Sequence, residues 1–291
     1  MLKDLRGQWR QHVALDIGTA TIRIASGTAP FMERPSRIDC KRGLRDGVVV
    51  DCETIVEIVK PLLERTRMFG VVKPRVLACA PSDAKKDERQ MLIDSLLRAG
   101  AASLSVIPEP LAAAIGSGLD VSSPYAQMVI DIGEGVTDCA VLRASKIAAT
   151  CAIRKGCGRM RNAIVVAALN SGCAGFTEAD GDALLESCGL LPSPNLAGSV
   201  MTASVLLPVV EEIADTVDSF LRNLPDEIGC EIIDSGICLT GGGALVPGMR
   251  AYLEQRTGIS VKTAHTPLAS VVEGARAIMP VVTSLNEWTR F

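Results

Sequence analysis

Residues 128–142 read MVIDIGEGVTDCAVL. An apolar run ends in Asp131, Gly133 and Gly135 follow, and a β-rich run from Thr137 to Leu142 returns. This profile predicts a hairpin whose tight turn lets backbone N–H groups approach an anion, with a carboxylate beside them. A single Asp-x-Gly turn carries little weight, because such turns are common. Here the pattern occurs twice. Residues 12–26 read HVALDIGTATIRIAS and place Asp16, Gly18 and Thr19 where the later stretch has Asp131, Gly133 and Glu134. Two equivalent hairpins, one in each half of the chain, point to a duplicated architecture that holds one ligand between its halves.

The 291 residues suffice for two moderate cores. A composition of 48% hydrophobic and 22% charged residues is that of a folded protein rather than a disordered one. With only 3% aromatics, Ala, Val, Leu and Ile must fill those cores. The net charge of −3 argues against a nucleic-acid partner, which takes a strongly basic surface. There is no run of about eighteen or more apolar residues and no signal-peptide core, which places the protein in the cytoplasm. The ten cysteines contain no C-x-x-C pair. Cys79, Cys139, Cys151, Cys230 and Cys238 sit in apolar runs, the pattern of reduced, buried thiols.

Between the hairpins the chain alternates strand and helix. Residues 30–45 are polar, basic and proline-bearing, and read as a loop or a very small subdomain. Residues 52–67 carry a helical apolar period with Pro61 inside it, 74–81 form a buried strand, and Ser82 opens a helix to about Leu97 that Gly100 ends. A strand at 104–107 and a small-residue helix at 110–117 precede the second hairpin. The second half repeats this outline: a strand at 146–153, helices at 160–169 and 205–224, and a segment 171–200 dense in Gly, Ser and Pro with one helical run at 183–188. A strand at 232–239 then runs into Gly241, Gly242 and Gly243, with helices at 246–257 and 269–279 and a strand at 260–263 after them. The fold class is α/β with a mixed sheet.

The glycine run in residues 237–253, ICLTGGGALVPGMRAYL, gives a third ligand-facing feature. A strand feeding glycines and then a helix leaves backbone open to a phosphate, although a single Gly-Gly-Gly equally makes a tight turn with no ligand. It is neither a Walker A loop nor a dinucleotide turn. Residues 1–11, MLKDLRGQWRQ, place Leu2, Leu5 and Trp9 at helical spacing among Lys3, Arg6 and Arg10. That arrangement suits a membrane interface, and equally a short helix packed on the protein's own surface.

These residues resemble the phosphate-1, phosphate-2 and adenosine motifs of the actin-like ATPases, and of the MreB family of bacterial actin homologues in particular. The stretches are Asp16-Ile17-Gly18-Thr19-Ala20-Thr21, Asp131-Ile132-Gly133-Glu134-Gly135-Val136-Thr137 and Leu239 to Leu245, and the similarity extends to 45–51, 74–81 and 107–119. The resemblance implies two α/β subdomains around a nucleotide cleft, binding ATP with Mg²⁺ and hydrolysing it slowly. It assigns the metal, through water, to Asp16 and Asp131. The phosphates fall to Gly18, Thr19, Ala20, Thr21, Gly133, Glu134 and Gly135, and the adenosine side to Gly241, Gly242, Gly243 and Leu245. Glu109 would orient the attacking water, with Thr137 near the γ-phosphate; a carboxylate before Pro110 also fits a plain helix start. The implied organisation is an amphipathic segment 1–11, domain I over 12–120, domain II over 121–265 and a C-terminal helix, 266–291, returning to domain I. Subdomain IB (about 30–45) and subdomain IIB (about 160–204) are reduced.

The implied function is a cytoskeletal filament on the inner face of the cell membrane that determines cell shape. It would self-associate or join a full-length MreB paralogue and cell-shape complex proteins, with Leu2, Leu5 and Trp9 as the membrane contact. A different reading, a non-polymerising adaptor with weak or no nucleotide binding, is favoured by the reduced IB and IIB subdomains and by lost adenosine contacts, and three positions depart from the family pattern. Glu134 stands where the family pattern has glycine and sets a carboxylate beside phosphates, at a cost of about 1 kcal/mol unless a cation offsets it. The stretch resembling G-G-D-R-F-D-E reads Gly156-Cys157-Gly158-Arg159-Met160-Arg161-Asn162 and loses its acids. Leu185 and Ser187 occupy the positions of a Lys and a Glu toward the adenosine.

Overall fold

The computed structural model describes residues 11–192 and 198–285. One unit comprises the described residues up to Gly116 together with those from Ala269 onward, and the other comprises Ser117–Leu268.

The first unit is built on strands β1 (His12–Ile17), β2 (Thr21–Ser26) and β3 (Met32–Pro35). Two-residue strands follow as small hairpins, β4 (Arg37–Ile38) with β5 (Lys41–Arg42) and β6 (Leu44–Arg45) with β7 (Val48–Val49). Strands β8 (Arg75–Ala80) and β9 (Ser103–Pro108) complete a sheet of order β3-β2-β1-β8-β9. Helices α1 (Cys52–Arg65), α2 (Lys86–Ala99) and α3 (Glu109–Gly116) connect these strands. The second unit holds β10 (Gln127–Ile132), β11 (Thr137–Arg143), β12 (Lys146–Ile153), β13 (Ile237–Thr240) and β14 (Val261–Thr263), in the order β12-β11-β10-β13-β14. Its helices are α4 (Cys157–Asn170), α5 (Glu178–Ser187), α6 (Ser199–Arg222), α7 (Asp226–Ser235) and α8 (Met249–Thr257). Helix α9 (Ser270–Leu285) belongs to the first unit.

The two sheets share one plan. β1 runs antiparallel to β2 and parallel to β8; β10 runs antiparallel to β11 and parallel to β13. The register repeats as well, Asp16 lying opposite Arg23 and Asp131 opposite Asp138. Both central strands are buried along nearly their whole length, so their sequences are continuous apolar runs rather than alternating ones. Each carries its aspartate one residue before its end, at the carboxyl edge of the parallel strands, where open α/β sheets present ligand-binding loops. Two cores, rich in Leu, Ile, Val and Ala, flank these sheets, one in each unit.

Several elements differ from the sequence reading. Residues 30–45 do not form a plain loop: β3 extends the main sheet and tiny hairpins follow. α2 begins at Lys86 rather than Ser82, where the Glu88 carboxylate accepts the Lys85 N–H at 2.9 Å. Residues 232–235 belong to α7 and not to a strand. Ile228 and Ile232 face the core one helical turn apart, Asp226 and Glu227 favour the helix start, and Gly236, at φ 80°, ends it. The same helical phase leaves Cys230 exposed, contrary to its expected burial. The glycine run leads into a 3₁₀ turn, Gly242–Leu245, rather than straight into α8. Pro247 holds Val246 extended and Gly248, at φ 86°, restarts the chain.

Within the first unit α3 and α9 cross with backbones almost touching. A Cβ on Gly116 would overlap the Ser270 carbonyl oxygen, and one on Gly274 the Ala112 carbonyl oxygen. Neither backbone can retreat without opening the core beneath it. Gly274→Ala is therefore expected to lower stability to urea by about 2 kcal/mol or more. Gly229→Ala, in α7 with open space around its Cβ, should raise it by roughly 0.5–1 kcal/mol.

Candidate functional site

The first hairpin turn is closed by the Gly18 N–H donating to the Thr21 carbonyl at 3.1 Å. A Cβ on Gly18 would stand 2.9 Å from that oxygen, so the turn requires glycine. The loop is pinned from outside: the Ser36 hydroxyl donates to the Gly18 carbonyl at 2.6 Å and the Ser36 N–H to the Ala20 carbonyl at 2.8 Å. The Gly47 N–H donates to Thr19 Oγ1 at 2.9 Å. Among the described residues nothing accepts from the amides of Thr19 and Ala20. Asp16, just before the turn, is 4% exposed. Burial pushes its carboxyl up to about 6, against the pull of the Arg23 guanidinium 3.5 Å away.

The second turn repeats this construction. The Gly133 N–H donates to the Val136 carbonyl at 2.9 Å, a Cβ on Gly133 would lie 3.2 Å from the same oxygen, and the amides of Glu134 and Gly135 find no acceptor among the described residues. Its pins come from the start of α4, where the Cys157 and Gly158 N–H groups donate to the carbonyls of Gly133 and Glu134, each at 2.9 Å. Gly156 and Gly158 permit this approach. A Cβ on the first would overlap the Gly133 carbonyl, and one on the second would sit 2.8 Å from Glu134 Oε1. The glycine run closes against the same place. A Cβ on Gly241 would overlap an Asp131 carboxylate oxygen, and one on Gly243 the Ile132 side chain. The second hairpin turn, the glycine run and the start of α4 are thus one cluster within the second unit.

Glu134 is not left as an isolated charge. Arg161, on α4, grips its carboxylate with both terminal nitrogens, one of them at 3.3 Å, and the first of these also reaches Asp182 on α5 at 3.0 Å. Burial disfavours the Arg161 charge, but the two carboxylates outweigh that and hold its pKa above the usual range. Cys157 beside them is inert as a nucleophile, burial and then the Glu134 charge pushing its thiol up to about 12.

Other residues singled out in the sequence fall as follows. Asp131 and Asp138 are both buried and face each other across β10 and β11. Thr137 is buried and its hydroxyl donates to the Lys155 carbonyl at 2.9 Å, which leaves its oxygen as an acceptor. Glu109 opens α3 at the end of β9, with Pro110 behind it. Leu245 ends the 3₁₀ turn and is exposed. Leu185 packs inside the core of its unit, and the Ser187 hydroxyl donates to the Ala183 carbonyl. Leu2, Leu5 and Trp9 lie outside the described residues.

The model of the MreB/Mbl protein family matches residues 13–168 and 188–287. The chain belongs to that family. Among MreB/Mbl relatives, it is 27% identical to the cell shape-determining protein MreB of Escherichia coli, over 336 aligned positions that cover 97% of each chain. Because that alignment exceeds the 291 residues here, MreB of Escherichia coli holds segments this chain lacks. Identity to Mbl of Bacillus subtilis is 27%, covering 92% of this chain and 87% of that one. In fold it is similar to MreB5 of Spiroplasma citri bound to ADP, with a TM-score of 0.86 at 23% identity over 96% of this chain and 98% of that one. The MamK double helical filament gives 0.78 at 15% identity, over 92% and 98%. The chain is an actin-like protein of the MreB/Mbl family.

In each unit a buried carboxylate supplies a hard oxygen beside turn amides that have no acceptor among the described residues, chemistry that fits a magnesium nucleotide. The raised Asp16 also has a measurable signature. The folded protein holds that proton more tightly than the unfolded chain, so its contribution is fully present below about pH 4 and is lost as pH rises through about 6. Asp16→Asn should remove that loss and leave the ligand-free protein more stable than wild type at pH 7, by on the order of 1–3 kcal/mol. At pH 4 the gap closes. Urea unfolding of both proteins at the two pH values checks this.

Proposed function

We propose that this chain is an MreB-type cytoskeletal protein that binds ATP with Mg²⁺ and assembles into filaments on the inner face of the cell membrane. The observation that carries the reading is the repeated turn: the same closing hydrogen bond, two amides without acceptors among the described residues and a buried aspartate just before, once in each unit. Backbone amides so arranged serve the phosphates, with Gly18, Thr19, Ala20, Thr21, Gly133, Glu134 and Gly135 as the clamp. Gly241, Gly242, Gly243 and Leu245 serve the adenosine side. Among the described residues no three His, Cys, Asp or Glu side chains converge on a metal. Asp16 and Asp131 would therefore hold Mg²⁺ through water, with nucleotide oxygens completing its shell. Bound Mg²⁺ neutralises phosphate charge; Glu109 orients a water and Thr137 offers that water an acceptor, which suits slow hydrolysis.

A second reading, a non-polymerising adaptor that partners a full-length MreB or a cell-shape complex, is favoured by Leu185. A side chain buried in the core cannot serve a ligand, so the base has lost one contact of the family pattern. Titration of a fluorescent ATP analogue with and without Mg²⁺, followed by sedimentation, separates the two. Saturable, Mg²⁺-dependent binding and a pelletable polymer are expected. Asp16→Asn and Asp131→Asn should each weaken binding by roughly tenfold or more. Binding without polymer would favour the adaptor.

Membrane attachment rests on the amphipathic residues Leu2, Leu5 and Trp9 and on a feature the sequence reading passed over. Phe69 is 77% exposed at φ 53°, on a tight turn bridged by Met68 and Val72, with Val71 equally exposed beside it. Two neighbouring apolar side chains held in water at the tip of a turn are surface that an apolar phase would receive. Among the described residues no helix is long and apolar enough to cross a membrane, so attachment would be peripheral. Co-sedimentation with anionic-lipid vesicles should fall severalfold for Trp9→Ala with Leu2→Ala, and again for Phe69→Asp. Unchanged pelleting would remove the membrane from the proposal.

A further inference from the structure

In the first turn, the side chain at the second position, Thr19, is tied to the Gly47 N–H, and the amides of the turn stay available. Glu134 holds the same place in the second turn but brings a negative charge. Left to rotate, its carboxylate would repel the phosphates or occupy the turn's own amides. The structure draws it the other way, onto the side where α4 meets the turn. Gly158 leaves the space that it fills, and Arg161 holds both of its oxygens, itself braced by Asp182. The N–H groups at the start of α4 are committed to the carbonyls of Gly133 and Glu134. The amides of Glu134 and Gly135, which have no acceptor among the described residues, are the ones left for an anion.

We propose that Arg161 is a positioning residue for nucleotide binding: with Gly158 and Asp182 it holds the Glu134 carboxylate off the turn and keeps that turn's amides open to phosphate. This rests on the nucleotide reading above. It also makes Glu134, Gly158 and Arg161 one compensated set. The acids missing from the Gly156–Asn162 stretch and the acid gained at Glu134 are the same change seen from two sides, since the Glu134 carboxylate occupies the space beside Gly158. A bidentate, partly buried guanidinium–carboxylate pair has the geometric definition to hold a side chain in one rotamer, which a lysine point charge lacks.

The test is a mutant cycle read by equilibrium binding of a fluorescent ATP analogue to the full chain. Arg161→Met should weaken binding by roughly tenfold, and the loss should grow as Mg²⁺ is lowered, because the freed carboxylate then faces bare phosphate charge. Adding Glu134→Gly to Arg161→Met should restore affinity to within about twofold of wild type, as should adding Glu134→Gln. Arg161→Lys, which keeps the charge but not the fork, should fall between. Thermal unfolding of each variant identifies any that fails to fold, and the two double variants then supply the comparison on their own. Wild-type affinity in Arg161→Met, or double variants as weak as the single one, overturns the proposal while nucleotide binding stands. Absence of saturable binding by the wild type overturns both.

Discussion

In each unit the central strand carries near its end an aspartate withdrawn from water, and the surrounding residues answer to that charge. A carboxylate in such a place costs stability in the ligand-free protein, as the raised Asp16 shows. The two units answer differently. Asp16 has a guanidinium opposite it in the register, whereas Asp131 has Asp138, another buried acid. The first unit sets a guanidinium beside its aspartate, and the second sets another buried acid in register with its own.

The two hairpins and most of the main strands were legible because they rest on short-range chemistry: a buried apolar run, an acid near its end and glycine at a closing position. Leu185 and Arg161 were less legible for a different reason. The sequence showed that a Lys-like and an acidic position had changed, and their environments depend on elements more than twenty residues away. Segment 232–235 was misread because a short apolar run fits either a strand or one face of a helix, and 82–85 because a polar stretch after Ser82 fits a helix start as well as the turn before one. What decides is Gly236 and the acidic first turn in one case, and the Glu88 cap in the other. Phe69 escaped notice because exposure at a turn leaves no periodic trace.

Scarce aromatics shape the packing as well. Without large rings to fill space, the cores close by bringing backbones together, and glycine and alanine become the contact residues. The α3–α9 crossing shows this in the first unit, where Gly116 and Gly274 each face a carbonyl of the partner helix. The start of α4 shows it in the second, where Gly156 and Gly158 press against the hairpin turn. In both places glycine serves close approach rather than an unusual dihedral, for neither pair sits at positive φ. Fold and site therefore use one device. A glycine that lets a helix reach a core also lets a helix reach a phosphate turn.

The departures from the family pattern carry different meanings once the contacts are known. Leu185 lies in the core of its unit, where it offers no polar group to a ligand. Glu134 has instead acquired space from Gly158 and a counter-charge from Arg161, braced in turn by Asp182. A turn relieved of any ligand would tolerate a glutamate in several rotamers on its exposed side, with no need of a buried guanidinium to aim it. Partly burying an arginine and a glutamate together is costly and not easily recovered in stability. That cost is intelligible where the direction of the carboxylate matters, beside a turn whose amides must remain unoccupied. Under the proposed nucleotide reading, the constraint that Glu134 and Arg161 answer to is therefore on the phosphate side.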